Sequence, residues 1–192
     1  MGLCQHDLMK TGLMALIIAI AGIGESYATS PLAPPEIHSV ESANAEYLVV
    51  SDPVKGTTCV RKETGAMLWE NPKWYRMIFI SNDGKYLVTS YDGMNLIPTD
   101  SPKDLVLVTI FTNGKISKEF KLMDLIPDVS ILSENMNHYD WGGVVGFDDN
   151  GTLKVRIGRD QLVVIDPKNG TRINQEKKEG LVPEGHILPP GK

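Results

Sequence analysis

Four consecutive side chains, His138-Tyr139-Asp140-Trp141, can do chemistry or bind a ligand. A histidine and a carboxylate can act together as a general acid–base pair. The two aromatic rings can stack on a sugar or on another planar ligand. Loops mounted on a rigid β scaffold commonly display binding groups, and this segment is predicted to lie in a loop that leads into a strand. We therefore predict that these four residues form the binding surface.

Two functions of different class fit this segment. The preferred one is a non-enzymatic binding or scaffold protein for a protein or glycan partner. The alternative is a small hydrolase-like enzyme that uses His138 and Asp140. A purely structural role is the third reading, in which Trp141 anchors a sheet and His138 bonds a loop carbonyl. An enzyme needs His138 and Asp140 to converge in a cleft, so their relative position separates the two functions.

Other patterns with chemical meaning are weak. No His, Cys and carboxylate spacing indicates zinc, and Asp148-Asp149-Asn150-Gly151 lacks the alternating ligands of a calcium loop. The sequence contains no phosphate loop, dinucleotide fingerprint or Gly-x-Ser-x-Gly motif. We therefore assign no catalytic residue and expect no metal and no cofactor. The aromatic cluster from Trp69 to Arg76 can form a binding platform or seal the seam between two sheets, and we favour the seam.

Composition and charge limit the classes of partner. The chain has 192 residues, of which 42% are hydrophobic and 22% charged, which is typical of a folded domain with a real core. Its formal net charge is -5. Nucleic acids select basic surfaces, so we predict no nucleic-acid partner.

Residues 1–28 have the pattern of a secretory signal peptide. Lys10 precedes an uncharged apolar run from Thr11 to Gly24, and Ser26-Tyr27-Ala28 offers small residues to a signal peptidase. The run is too short for a comfortable membrane span. We predict cleavage after Ala28, a secreted or periplasmic location and no stable membrane insertion. An uncleaved N-terminal anchor is the alternative.

The rest of the chain divides into three parts. Residues 29–44 are Pro-rich and predict a linker, residues 45–174 contain the β-rich runs, and residues 175–192 predict a flexible tail. After cleavage Cys59 is the only cysteine, which excludes an internal disulfide. Its strand-like context indicates a small buried hydrophobic residue rather than a catalytic thiol.

The stretch from Trp74 to Leu122 organises the fold, because four short apolar runs alternate there with Gly-containing turns. Leu105 to Phe111 is apolar on both faces and predicts a strand covered on both sides. Ile116 to Leu122 alternates and predicts a half-buried edge strand. A short helical connection near Met123–Ile126 follows, ended by Pro127.

The glycine turns repeat along the chain. Gly65, Gly114 and Gly170 each separate two apolar runs at intervals of roughly 50 residues, and units of that length with four strands are typical of β-propeller blades. We predict an all-β fold of about three antiparallel blade-like sheets, a partial and open β-propeller-like domain, with the one helical connection. The first unit is predicted to be incomplete.

Three hairpins resemble those of known propeller families. Val60 to Glu70 and Leu162 to Gly170 look like the closing hairpin of a quinoprotein-type blade, and Phe79 to Val88 resembles the opening hairpin of Trp-Asp-repeat-like (WD40-like) blades. The order of four further elements is similar to that in small exported bacterial proteins of unknown function. These elements are Ser90-Tyr91-Asp92-Gly93, Leu125-Ile126-Pro127-Asp128, His138-Tyr139-Asp140-Trp141-Gly142 and Gly146-Phe147-Asp148.

The resemblance implies architecture and carries no activity. Three blades are too few to close a ring, and a quinone-binding propeller needs a closed ring of many blades. The open faces at each end therefore need cover. The terminal segments, the helical connection or another copy in a homo-oligomer can supply it.

Overall fold

The computed structural model describes residues 32–173. The predicted signal peptide (1–28) and the predicted tail (175–192) lie outside these residues. About half of the described residues lie in β-strands, and the other regular elements among them are one α-helical turn, α1 (Leu122–Leu125), and one 3₁₀ turn (Val129–Ile131). The strands are β1 His38–Glu41, β2 Tyr47–Asp52, β3 Gly56–Arg61, β4 Met67–Asn71, β5 Ile78–Ile80, β6 Tyr86–Ser90, β7 Leu96–Pro98, β8 Val106–Thr112, β9 Lys115–Lys121, β10 Ser133–Asn135, β11 His138–Asp140, β12 Gly142–Phe147, β13 Leu153–Ile157, β14 Gln161–Asp166 and β15 Thr171–Ile173.

The strands form four antiparallel sheets. The first sheet has the order β1-β2-β3-β4, the central sheet β5-β6-β8-β9, and the last sheet β12-β13-β14-β15. A small sheet has the order β10-β11-β7, in which β7 comes from the connection between β6 and β8 and β10 and β11 follow the central sheet in the chain. The predicted all-β class, with about three antiparallel blade-like sheets and one short helical connection, is therefore confirmed.

The central sheet is buried on both faces at β8, as its apolar pattern predicts. Phe111 packs with the first sheet in one core, while Val108 and Ile110 pack with the last sheet in the other. Strand β9 lies at the sheet edge as predicted, but only Phe120 of it is buried, and Ile116 is 57% exposed. The sequence therefore predicted too much burial for β9, because this edge strand reaches a core only at Phe120.

Two apolar clusters hold the sheets together. The seam core joins the first and central sheets, and the main core joins the central, small and last sheets with α1. The buried members of the seam core are Tyr47, Val49, Cys59, Trp69, Ile78, Ile80, Leu87 and Phe111. The buried members of the main core are Val88, Ile97, Leu107, Val108, Ile110, Phe120, Leu122, Leu125, Ile126, Leu132, Trp141, Val144, Leu153, Val155, Ile157 and Ile165.

Strand β1 lies inside the segment that the sequence predicts as a linker. It pairs with β2 from His38↔Ser51 to Glu41↔Leu48, so the first sheet has four strands and is not incomplete. The imidazole Nε2 of His38 lies 2.8 Å from the Tyr75 carbonyl oxygen. This bond attaches β1 to the start of the central sheet.

The aromatic cluster at Trp69 to Arg76 supplies two rings to the seam between the first and central sheets. Trp69 is 6% exposed, and its indole N–H donates to the Gly84 carbonyl at 2.7 Å. The Tyr75 ring packs edge-on against Phe111, with centroids 5.2 Å apart. Gly84 has φ +69°, and an added Cβ would lie 2.5 Å from the Tyr47 ring, so the turn needs glycine. Trp69 and Tyr75 therefore seal the seam, as favoured from the sequence.

Cys59 is a buried side chain with 0% exposure, as its strand-like context predicts. Burial raises the pKa of its thiol to about 11, so the thiolate that reacts with electrophiles is scarce at neutral pH. We expect native protein at pH 8 to resist a thiol reagent and urea-unfolded protein to react at once. Counting labelled thiols by intact mass of the processed chain checks this. Rapid labelling of folded protein would contradict it.

Candidate functional site

The predicted site segment is a strand and not a loop. His138–Asp140 forms β11, which pairs with β10 on one side and with β7 on the other. The loop prediction was therefore wrong. Strand β7 lies about 40 residues earlier in the chain, and a pairing of that range leaves no sign in the local sequence pattern.

Trp141 follows β11 and is fully buried in the main core, with 0% exposure. Its indole N–H donates to the Met94 carbonyl at 2.7 Å, and its backbone N–H donates to the Asn95 carbonyl at 2.9 Å. The side chain therefore ties the small sheet to the loop before β7. It offers no ring face to a ligand in this conformation.

His138 and Asp140 lie on the same face of β11, since they are two residues apart in a strand. The Asp140 carboxylate accepts from the Asn95 side-chain amide at 3.2 Å and from the Gly142 backbone N–H at 3.1 Å. Within residues 32–173 no hydrogen bond or ion pair joins the His138 imidazole to Asp140. In this arrangement the Asp140 carboxylate stabilises the turn after β11, and His138 and Asp140 do not form an acid–base pair.

Tyr139 points to the other face of β11 and lines a pocket of about 300 Å³. Its ring packs against the main core, and the buried Ile97 and Leu122 side chains also line the pocket. The remaining lining residues come from the chain before β8 and from the segment after α1. They are Pro98, Thr99, Ser101, Lys103, Met123, Pro127, Asp128 and Val129.

The pocket combines an apolar interior with groups of both charges. Lys103 supplies an ammonium group, while Asp128 supplies a carboxylate that accepts from the Ser130 backbone N–H at 2.9 Å. Hydrogen bonds from the Ser130 hydroxyl and backbone N–H hold the pKa of Asp128 below its usual value. Asp128 is therefore negatively charged at neutral pH. Hydroxyls of Thr99 and Ser101 add polar groups that can bond a ligand.

A second cavity, of about 400 Å³, is lined by residues of the central and last sheets and of the loop before β7. Met94 and Asn95 line it, together with Met77, Gly143 and Arg156. Asn95 is also the residue whose amide bonds Asp140. The four predicted site residues are thus not brought together: Tyr139 faces the first pocket, Asp140 is linked through Asn95 to the second cavity, and Trp141 is buried.

The residues that sequence reasoning missed are the partners of Tyr139 in its pocket. The sequence around Lys103 indicates only a polar segment, and the sequence around Asp128 indicates only a connecting loop. One local signal was present, because Asp128 precedes Ser130 with the spacing of a side chain that caps a short helix. Nothing in the local pattern places either residue near Tyr139.

Metal binding and membrane crossing were also considered for the described residues. Residues 32–173 contain no group of three or more His, Cys, Asp or Glu side chains able to hold a metal ion. Neither helical turn in that range has the length and apolar character needed to cross a bilayer.

Comparison of the chain with protein-family models and with curated proteins finds no match in either set. The described residues define the class: an all-β protein built of antiparallel four-stranded sheets, with a pocket of mixed polarity beside Tyr139. The resemblance to quinoprotein and Trp-Asp-repeat blades has no family match behind it and stays a prediction.

Proposed function

We propose that the protein is an exported, non-enzymatic binding protein, and that the pocket beside Tyr139 receives one side chain or one sugar ring of a protein or glycan partner. The observation that carries this proposal is the pocket itself, at about 300 Å³. That volume is at the lower end of the range for ligand sites. Export rests on the signal pattern of residues 1–28.

The chemistry of the pocket supports a partner that is neither wholly apolar nor highly charged. The Tyr139 ring can stack on the C–H face of a sugar or on an apolar side chain. Lys103 and Asp128 can then bond hydroxyl, amide or carboxylate groups at the rim, where hydrogen bonds to charged groups are the stronger ones. Asp128 is preorganised for this, since Ser130 already orients its carboxylate.

The proposal also assigns the three four-stranded sheets as blades of the β-propeller type. The consecutive four-stranded order of the first and last sheets, and the four strands of the central sheet, support that assignment. In such an arrangement the small sheet combines an insertion within the central blade, β7, with an insertion between the central and last blades, β10 and β11. Insertions on a rigid β scaffold are where binding groups are commonly displayed.

The test is capture of a partner from the exported fraction of the producing cells on immobilised protein. We expect Tyr139→Ala to weaken binding of the partner by at least about fivefold, because truncating an aromatic side chain that carries binding energy costs more than about 1 kcal/mol. Tyr139→Phe keeps the ring and should therefore retain most of the capture. Protease and glycosidase treatment of the captured material identifies the class of partner.

Tyr86→Ala is the matched control for this experiment. Tyr86 is also a half-buried tyrosine packed on the main core, but it lies outside the pocket. The Tyr86→Ala variant should lose about as much stability as Tyr139→Ala and should still capture the partner. Equal loss of capture in Tyr86→Ala and Tyr139→Ala would contradict a site at the pocket.

A further inference from the structure

One face of the first sheet packs in the seam core, and the other face lies outside both cores. Facing partners in an antiparallel sheet share a face, and β2, β3 and β4 align Leu48 with Val60 and Val60 with Met67. Val50, two residues along β2, lies on that same face. Met67 is 60% exposed. We call Leu48, Val50, Val60, Met67 and their acidic neighbours Glu41 and Glu70 the first end face.

The last sheet has a corresponding face on its side away from the main core. Lys154 pairs with Val164 and Val164 with Ile173, while Arg156 pairs with Leu162. Leu162 is 45% and Ile173 42% exposed, whereas Val164 is only 4% exposed although it belongs to neither core. We call Lys154, Arg156, Leu162, Val164 and Ile173 the last end face.

The two end faces carry opposite charge. The first end face has Glu41 and Glu70, and the last end face has Lys154 and Arg156. Glu41 is paired with Lys62 at 2.7 Å, and Lys154 lies 3.5 Å from Asp148. Glu70 and Arg156 form no ion pair within residues 32–173. Each end face therefore offers an apolar centre and one uncompensated charge of opposite sign.

We propose that the first end face of one copy packs against the last end face of a second copy, and that the reciprocal contact closes a two-fold dimer. Sheets that pack face to face do so through apolar side chains of this kind. The charges favour this head-to-tail contact over contact of like faces, since like charges brought together are repelled. It buries the apolar centres of both end faces.

The number of sheets fits a closed dimer. One copy has three four-stranded sheets, fewer than the four to eight blades that close a propeller ring. Two copies contribute six, within that range. Head-to-tail contacts that close give a finite ring, whereas contacts that fail to close give filaments. A dimer of limited size is therefore the expected product.

The test is sedimentation velocity of the purified protein, expressed from the full-length gene, over a range of concentrations. We expect the wild type to be a dimer. Val60→Lys brings a cation to the first end face, and Leu162→Glu brings an anion to the last end face. Each substitution should raise the dissociation constant of the dimer by at least about 100-fold, because like charges then face each other across the contact. Met67→Lys, at a more exposed position, replaces Val60→Lys if that variant fails to fold.

Mixing the two variants is the decisive step. The Val60→Lys chain keeps an intact last end face and the Leu162→Glu chain an intact first end face, so the mixture should dimerise although each variant alone is monomeric. The controls are Val54→Lys and Ile116→Glu. Both residues are exposed, at 92% and 57%, and lie outside the end faces, so both variants should stay dimeric.

Three results would overturn the proposal. A wild type that is monomeric at all concentrations excludes the dimer. A Leu162→Glu variant that still dimerises alone shows contact between like first end faces. A wild-type monomer that dimerises once residues 174–192 are removed shows that this segment covers an end face in place of a second copy.

Discussion

Val108→Asp abolishes folding of the protein at neutral pH. Val108 has 0% exposure in β8, where it pairs with Ser90 on one side and Phe120 on the other within the main core. A carboxylate there has no partner and loses its hydration, while the valine packing is lost as well. We expect a loss of more than about 4 kcal/mol in the free energy of unfolding, which few domains of this size tolerate.

Urea unfolding followed by circular dichroism measures this effect, and Lys118→Asp is its control. Lys118 is exposed on the edge strand β9, with its ammonium 5.6 Å from the centre of the Phe120 ring. Its replacement should cost no more than about 1 kcal/mol. Burial favours the neutral carboxyl, so the loss in Val108→Asp should shrink as the pH falls towards about 4. A well-folded Val108→Asp at neutral pH would show that the main-core face of β8 is not covered.

Trp141→Ala has the second-largest expected effect. The indole is fully buried in the main core, and its N–H satisfies the Met94 carbonyl. Removing a buried tryptophan side chain costs about 3–5 kcal/mol through lost burial and the cavity that remains. Met94 itself has φ +63°, a backbone conformation that non-glycine residues adopt rarely. The indole bond helps to hold that conformation.

Two further variants separate packing from hydrogen bonding. Trp141→Phe keeps most of the buried ring but leaves the Met94 carbonyl without its hydrogen-bond donor. We expect this variant to lose about 1–3 kcal/mol in the free energy of unfolding. His138→Ala should cost less than about 1 kcal/mol, since the half-buried imidazole makes no hydrogen bond within residues 32–173. Thermal unfolding of the three variants checks the order. A Trp141→Ala protein as stable as the wild type would place the indole outside the core.

The sequence predicts the large sheets well because the causes are local. Period-two alternation and turns such as Asn82-Asp83-Gly84 and Asn113-Gly114 lie within a few residues of the strands they define. Strands β5, β6, β8 and β9 match the four apolar runs predicted between Trp74 and Leu122. The short helical connection was also predicted, since Pro127 cannot continue a helix.

The missed strands are short and depend on distant partners. Strands β7 and β11 have three residues each and pair across about 40 residues of chain. Strand β7 contains Pro98, which is tolerated because β7 is an edge strand of the small sheet. Strand β1 was hidden by the prolines just before it.

Only part of the candidate site follows from the sequence. Tyr139 was among the predicted binding residues because of its residue type, and it does line a pocket. Its partners Lys103 and Asp128 come from two other segments, and tertiary packing alone brings them together. Trp141 has the same aromatic character as Tyr139, but it lies two residues later, just past the end of β11, and is fully buried in the core. Neither residue type nor strand alternation separates these two roles, because residues two apart in a strand share a face.

The central claim, that the pocket beside Tyr139 is the binding site, is tested most directly by mapping a captured ligand on the protein with backbone-amide NMR. We expect the largest shifts on binding at Tyr139, Ile97, Lys103 and Leu122, and none of comparable size in Tyr139→Ala. Shifts concentrated at Met94, Asn95 and Gly143 instead, with the pocket beside Tyr139 unchanged, would contradict the claim and assign binding to the second cavity.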